Sequence, residues 1–286
     1  MEFWLVIFLS IIAVVAISLL IFLELMGDEI LITKKQKHKR GKYINDQTAV
    51  ICQTIKDTED SRKAFNVFIE YMFTNHRQFI EYVEEILSDI SKAYYAEKFS
   101  DLEQCITDAK EMKIELKDQN EAQNQCLETI EDVYYIEALS WIYLANNTRF
   151  KINEYLYRLA SVCIRYKSKY SEPFPELYNE QLEALVADIS VICKTAVNLI
   201  GMPDVEPMRE LRKNMEVILA ESYSNAQRLY EHIHDGRTDV EPEKRIALQY
   251  AINSFQICHG IIYSLRRFLL ANICLSLSLQ NNNKDV

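Results

Sequence analysis

From Lys42 to Glu172 the chain runs 131 residues without a glycine or a proline. Hairpin turns and phosphate-cradling loops are usually built on glycine and proline, and this stretch offers neither. The spacing of its apolar residues decides for helix. Phe65, Phe68, Met72, Phe79, Val83, Ile86, Ile90 and Tyr94 recur at three-and-four intervals, with His76 in the one polar slot.

Further along, Ser100 followed by Glu103 reads as a capping box that starts a new helix. Its stripe is Leu102, Cys105, Ala109, Met112 and Leu116. The polar segment Gln119 to Gln125 reads as a turn, and the apolar pattern from Leu127 through Ile142, Ile152 and Leu159 predicts a long helix to about Arg165. A shorter helix is expected upstream, over Tyr43 to Lys56. Pro173-Phe174-Pro175 marks a boundary, because a residue before proline is driven out of the α region. Beyond it one helix ends at Gly201-Met202-Pro203, another at Gly236, and the last starts near Pro242, a first-turn proline.

The N-terminus adds a different element. Phe3 to Leu23 is an uninterrupted apolar run of 21 residues, about 31 Å long as a helix, which matches the hydrocarbon thickness of a bilayer. The basic residues Lys34, Lys35, Lys37, Lys39, Arg40 and Lys42 follow it. They are the expected membrane-surface contacts, and the positive-inside rule places the remainder of the chain on the cytoplasmic side, with the N-terminus outward. A cleaved signal peptide would need a basic leading region, a shorter apolar core and a small-residue cleavage site, which the chain lacks. The reading is therefore a single-pass protein of the cell inner membrane. A second apolar stretch, Ile261 to Leu279, contains the adjacent Arg266 and Arg267 and is expected to be a core helix.

The expected fold is all-α: a single N-terminal transmembrane helix followed by two tandem three-helix bundles. Residues 1–26 form the anchor, 27–42 a basic juxtamembrane linker, 43–172 the first bundle, 173–280 the second and 281–286 a polar tail. The net charge of −10 combines +2 over residues 1–42 with −12 over the rest, so the body lacks the basic face that nucleic acid requires. The seven cysteines, at 52, 105, 126, 163, 193, 258 and 274, are odd in number and include no C-x-x-C pair. On the cytoplasmic side they are expected to be reduced and mostly buried.

Signals for chemistry are sparse. The five glycines form no dinucleotide or P-loop pattern, and the five histidines no H-E-x-x-H. No catalytic residue is assigned, and the chain reads as a non-enzyme. The densest cluster is Glu231-His232-Ile233-His234-Asp235, in which Glu231, His234 and Asp235 share a helical face. Glu-x-x-His is half of a di-iron bundle motif. Glu128 and Asp132, four apart, are a further carboxylate pair. Convergence of Glu128, Asp132, Glu231, His234 and Asp235 would make a site for a divalent or iron-type metal. Surface solvation and the negative end of a helix dipole explain the same residues without one, and no cofactor is assigned.

The stretch from Phe99 to Arg165 resembles PhoU-like domains, including the cytoplasmic C-terminal domains of phosphate transporters. The resemblance rests on Phe99-Ser100-Asp101-Leu102 opening one helix, then Trp141-Ile142-Tyr143-Leu144 and Arg149-Phe150-Lys151-Ile152-Asn153-Glu154 in the next. Ile257-Cys258-His259-Gly260 is a weaker echo in the second half. The resemblance implies tandem three-helix bundles and a regulator or accessory domain of phosphate transport. It also implies metal motifs of the E/D-x-x-x-D type, although Asn153 stands where the family's motif has aspartate. With a single span the chain cannot itself be a pore, so the expected partners are the membrane and either a transporter or a second copy of the chain. The rival reading is a structural scaffold at the inner face of the membrane, resembling the septation-ring regulator EzrA.

Overall fold

A computed structural model of the protein describes residues 48–96, 98–170, 174, 176–234 and 242–284. The apolar run Phe3–Leu23, the basic residues from Lys34 to Lys42, Asp235 and the side chain of His234 lie outside the described residues. The described residues form seven helices and no strand. They are α1 (Thr48–Asp57), α2 (Ser61–Tyr95), α3 (Phe99–Leu127), α4 (Asp132–Lys167), α5 (Glu176–Leu199), α6 (Glu206–His234) and α7 (Pro242–Lys284).

Local chemistry sets the helix ends. Asp60 caps α2, its side chain accepting from the backbone N–H of Arg62 at 3.0 Å and of Lys63 at 3.3 Å. α5 stops as its sequence predicts: Gly201 follows at φ +82°, a conformation that costs any residue with a Cβ. The expected capping box at Ser100 does not form. Helix α3 already begins at Phe99 with Lys98 in the cap position, so Ser100 lies inside the first turn and its hydroxyl donates to Asp101 instead.

The turn expected at Gln119–Gln125 is also absent, and α3 continues to Leu127. The reversal lies at residues 128–131, and Asp132 opens α4. The three-and-four pattern Leu102, Cys105, Ala109, Met112, Leu116 continues through Gln119, Gln123 and Cys126, and all eight positions are buried. Two of them are simply amides.

Helices α2, α3 and α4 pack mutually, as do α5, α6 and α7, and α1 lies against α2 and α3. Helices from either side of residue 173 also pack together, α4 along α7 and α2 along α5. The α4–α7 pairing is the most extensive in the body, and it is antiparallel. Tyr166 near the end of α4 meets Tyr250 near the start of α7, ring centroids 5.7 Å apart, while Tyr155 reaches Gly260. A Cβ at Gly260 would stand 2.5 Å from the Tyr155 ring, so the absent side chain is what admits the tyrosine there. Helix α7 is, among the described residues, the one helix long and apolar enough to cross a membrane, yet 61% of its most apolar window is buried inside the protein. Arg266 within it pairs with Glu216 of α6. These contacts are those of a core helix.

The cysteine expectation needs one correction. Cys52 of α1 and Cys126 at the end of α3 form a disulfide, with Cα atoms 5.4 Å apart and a separation of 74 positions in sequence. Closing a loop of that length is worth about 4 kcal/mol in the chain-entropy picture. Cys105, Cys163, Cys193 and Cys258 are buried as expected. Burial pushes the thiols of Cys163 and Cys258 up to about 12, so neither is a thiolate at neutral pH.

Candidate functional site

Two places in the body concentrate polar chemistry: a seam inside it and a groove on its surface. The seam is built on α4, where Ile142, Asn146, Arg149, Asn153 and Leu156 follow three-and-four spacing and face the core. Arg149 is 2% exposed, and among the described residues it makes no ion pair. Its guanidinium is met by amides. One terminal nitrogen donates to Gln119 Oε1 and the other to Asn146 Oδ1 at 3.4 Å, while the group lies 5.4 Å from the centre of the Phe79 ring. Asn146 in turn donates to Gln123 Oε1 at 2.8 Å and Asn120 Oδ1 at 2.9 Å. Burial lowers Arg149 to about 10, which still leaves it cationic at neutral pH.

One turn further, Asn153 ties three helices together. Its amide donates to the Ala109 carbonyl of α3 at 2.7 Å, and its oxygen accepts from the Tyr82 hydroxyl of α2 at 2.9 Å. An aspartate here would have no proton to give that carbonyl. Asparagine, with both a donor and an acceptor, is therefore the side chain that fits this packing.

Three residues before Phe79, His76 of α2 is wholly buried against Phe268 of α7, ring centroids 4.9 Å apart. Its Nδ1 lies 2.8 Å from Asn272 Oδ1, and the Asn272 amide donates to the Phe268 carbonyl at 2.9 Å. That second bond orients the amide so that Oδ1 accepts and His76 carries its proton on Nδ1. Burial, and then the nearby Arg149 charge, lower His76 to about 3. Neither His76 nor Arg149 changes protonation near neutral pH, so the seam orders the helices rather than exchanging protons. Arg149 Nε, Gln123 Nε2, Asn75 Nδ2 and His76 Nε2 are buried and make no hydrogen bond within the protein.

The surface groove lies between the end of α4 and the first turns of α7, with a volume of about 490 Å³. Val162 and Arg165 supply one wall, Arg245, Ile246, Gln249 and Tyr250 the other. Beneath it an aromatic cluster joins Tyr94, Tyr166, Phe174 and Tyr250. The Phe174 N–H donates to the Tyr94 hydroxyl at 2.9 Å, and the Tyr166 ring sits 4.3 Å from that of Phe174. This cluster is interhelical packing.

Of the residues proposed for metal, the side chains of Glu128, Asp132 and Glu231 are described. Glu128 follows the end of α3 and Asp132 opens α4, so the pair flanks the α3–α4 reversal instead of sharing a helical face, and both are exposed. Asp132 accepts from the Tyr135 hydroxyl at 2.7 Å. Glu231 is exposed on α6 and accepts from Gln227 at 2.9 Å, while the side chain of His234 and the whole of Asp235 lie outside the described residues. Among the described residues no group of three or more metal-ligating side chains occurs. In the weaker echo, His259 Nδ1 lies 2.9 Å from the Ser222 hydroxyl and Gly260 accommodates Tyr155.

In the sequence Arg149 and Asn153 stand out only through a resemblance, and the polarity of Gln119 and Gln123 reads as a turn. The signal that finds them is their position, since each falls where the helical period puts a core residue. No family model, curated protein or solved structure matches the chain.

The His76 geometry makes a pH prediction. The unfolded chain takes up a proton on this residue near 6.5, and the folded chain refuses it until about 3. Stability from the neutral ring is thus complete above 6.5 and is lost as pH falls towards 3, at up to about 1.4 kcal/mol per pH unit. Urea unfolding between pH 7.5 and 4.5 should show a shallower pH slope for His76→Gln than for the wild type, and equal slopes would refute the buried neutral ring.

Proposed function

We propose that this chain is a membrane-tethered helical-bundle protein that works by contact with a partner rather than by turnover, as a PhoU-like regulator or accessory domain of phosphate transport. The apolar run Phe3–Leu23 would anchor it, the basic run Lys34–Lys42 would meet the inner membrane surface, and the helical body would lie in the cytoplasm. The tandem three-helix arrangement belongs to the same reading: α2–α4 as one unit, α5–α7 as the other.

The observation that carries the proposal is the position of Arg149 and Asn153, in the segment on which the resemblance rests. Asn153 joins α2, α3 and α4, and Arg149 faces the Phe79 ring, which meets Phe268 of α7. A displacement of either unit by a partner would therefore be felt at this segment. The test is deletion of the gene combined with pull-down of the full chain from solubilised membranes. Altered phosphate uptake and recovery of a phosphate transporter are expected. Unchanged uptake with disturbed division or envelope shape would replace this reading with the EzrA-like scaffold.

The side of the membrane can be tested separately, because two features pull in opposite directions. By the positive-inside rule the basic run favours a cytosolic body, whereas a disulfide such as Cys52–Cys126 persists in oxidising compartments. With the body in the cytosol, thiol alkylation of intact, growing cells should trap Cys52 and Cys126 reduced, and the pair should close only on exposure to oxidant. A pair found quantitatively oxidised in untreated cells would put the body outside and overturn the topology.

A further inference from the structure

We propose that the groove between the end of α4 and the start of α7 binds an organic phosphate ester, gripped by Arg165 and Arg245. The inference stands apart from the transporter reading, since it rests on the groove alone. In a chain of net charge −10, these two arginines border one groove of about 490 Å³, and neither forms an ion pair with a described residue. Two neighbouring cations repel one another, and a single dianion between them relieves that repulsion. A phosphate monoester carries close to two negative charges at neutral pH, and its oxygens match the fork of a guanidinium.

Three further features define the ligand. The first turn of α7, which begins at Pro242, adds the positive end of a helix dipole on the Arg245 side. Lys169, itself outside the lining, brings a third cation next to it, its Nζ 5.9 Å from the centre of the Tyr250 ring that forms part of the wall. The space far exceeds a bare phosphate ion and falls in the range of small-molecule sites, while Val162, Ile246 and Tyr250 offer an apolar and aromatic wall beside the charges. The ligand is thus a phosphate joined to an apolar or aromatic group. That chemistry comes either from a lipid headgroup with its adjoining acyl region or from a soluble phosphate ester.

The experiment uses the full chain reconstituted in phosphatidylcholine nanodiscs, with phenyl phosphate and inorganic phosphate as probes in calorimetric titrations. Phenyl phosphate should bind, inorganic phosphate should bind about tenfold or more weakly, and the double variant R165Q/R245Q should lose about tenfold or more of the phenyl phosphate affinity. Both arginines are exposed, so the variant is expected to keep its helical circular dichroism spectrum and midpoint. Repeating the titration with phosphatidic acid in the nanodisc identifies the source. Competition with phenyl phosphate assigns the site to a lipid, and unchanged binding assigns it to a soluble ester. Absence of phenyl phosphate binding, equal affinity for the two probes, or a folded double variant that binds like the wild type would each overturn the proposal.

Discussion

A guanidinium buried without a carboxylate is tolerated in a helical core only where neutral acceptors are carried to it, and Arg149 sets that requirement for this body. Its acceptors come from two helices: Gln119 from α3 and Asn146 from α4 itself. For Gln119 to reach it, α3 must stay helical to its end and lie along α4, which moves the chain reversal to residues 128–131. Phe79 must sit across the guanidinium face, and that fixes the azimuth of α2. His76, one turn away on α2, then faces Asn272 of α7. One polar residue thus constrains four helices, because leaving a buried charge unmet costs several kcal/mol.

Around that centre the remaining contacts are mostly apolar and forgiving. The α4–α7 pair runs antiparallel over the length of α4, with Gly260 giving room to Tyr155 and the aromatic cluster of Tyr94, Tyr166, Phe174 and Tyr250 closing one end. The same end carries the Arg165–Arg245 groove. The interior and the groove are therefore joined by one helix pair, Arg149 sixteen residues before Arg165 on α4. At the opposite edge, the Cys52–Cys126 bridge ties α1, the first described helix after the basic run, to the end of α3.

Much of this was legible in the sequence, and the failures have a common cause. The buried stripe of α2 from Phe65 to Tyr94 matches its period, and the stops at Gly201 and before Pro242 fall where turn chemistry puts them. Gln119–Gln125 looks like a turn by polarity although its spacing is that of a core stripe: a glutamine at a core position is silent in a hydropathy pattern, and its meaning appears only with Arg149 opposite it. The shifted reversal also puts Glu128 and Asp132 on either side of a chain turn rather than four apart along one helix. The groove was invisible because Arg165 and Arg245 stand eighty residues apart and only the antiparallel pairing of α4 with α7 brings them together. The disulfide could not be read from seven cysteines with no pairing motif.

The organising role of Arg149 is tested most directly by a double-mutant cycle on Arg149→Met and Gln119→Met, read by urea unfolding. Each single change leaves a buried partner unmet and should cost about 2–4 kcal/mol. The double variant removes both partners, so its cost should fall short of the sum by about 1 kcal/mol or more. Additive costs, within about 0.5 kcal/mol, would mean that the two side chains do not act together and that the body is ordered by its apolar stripes alone.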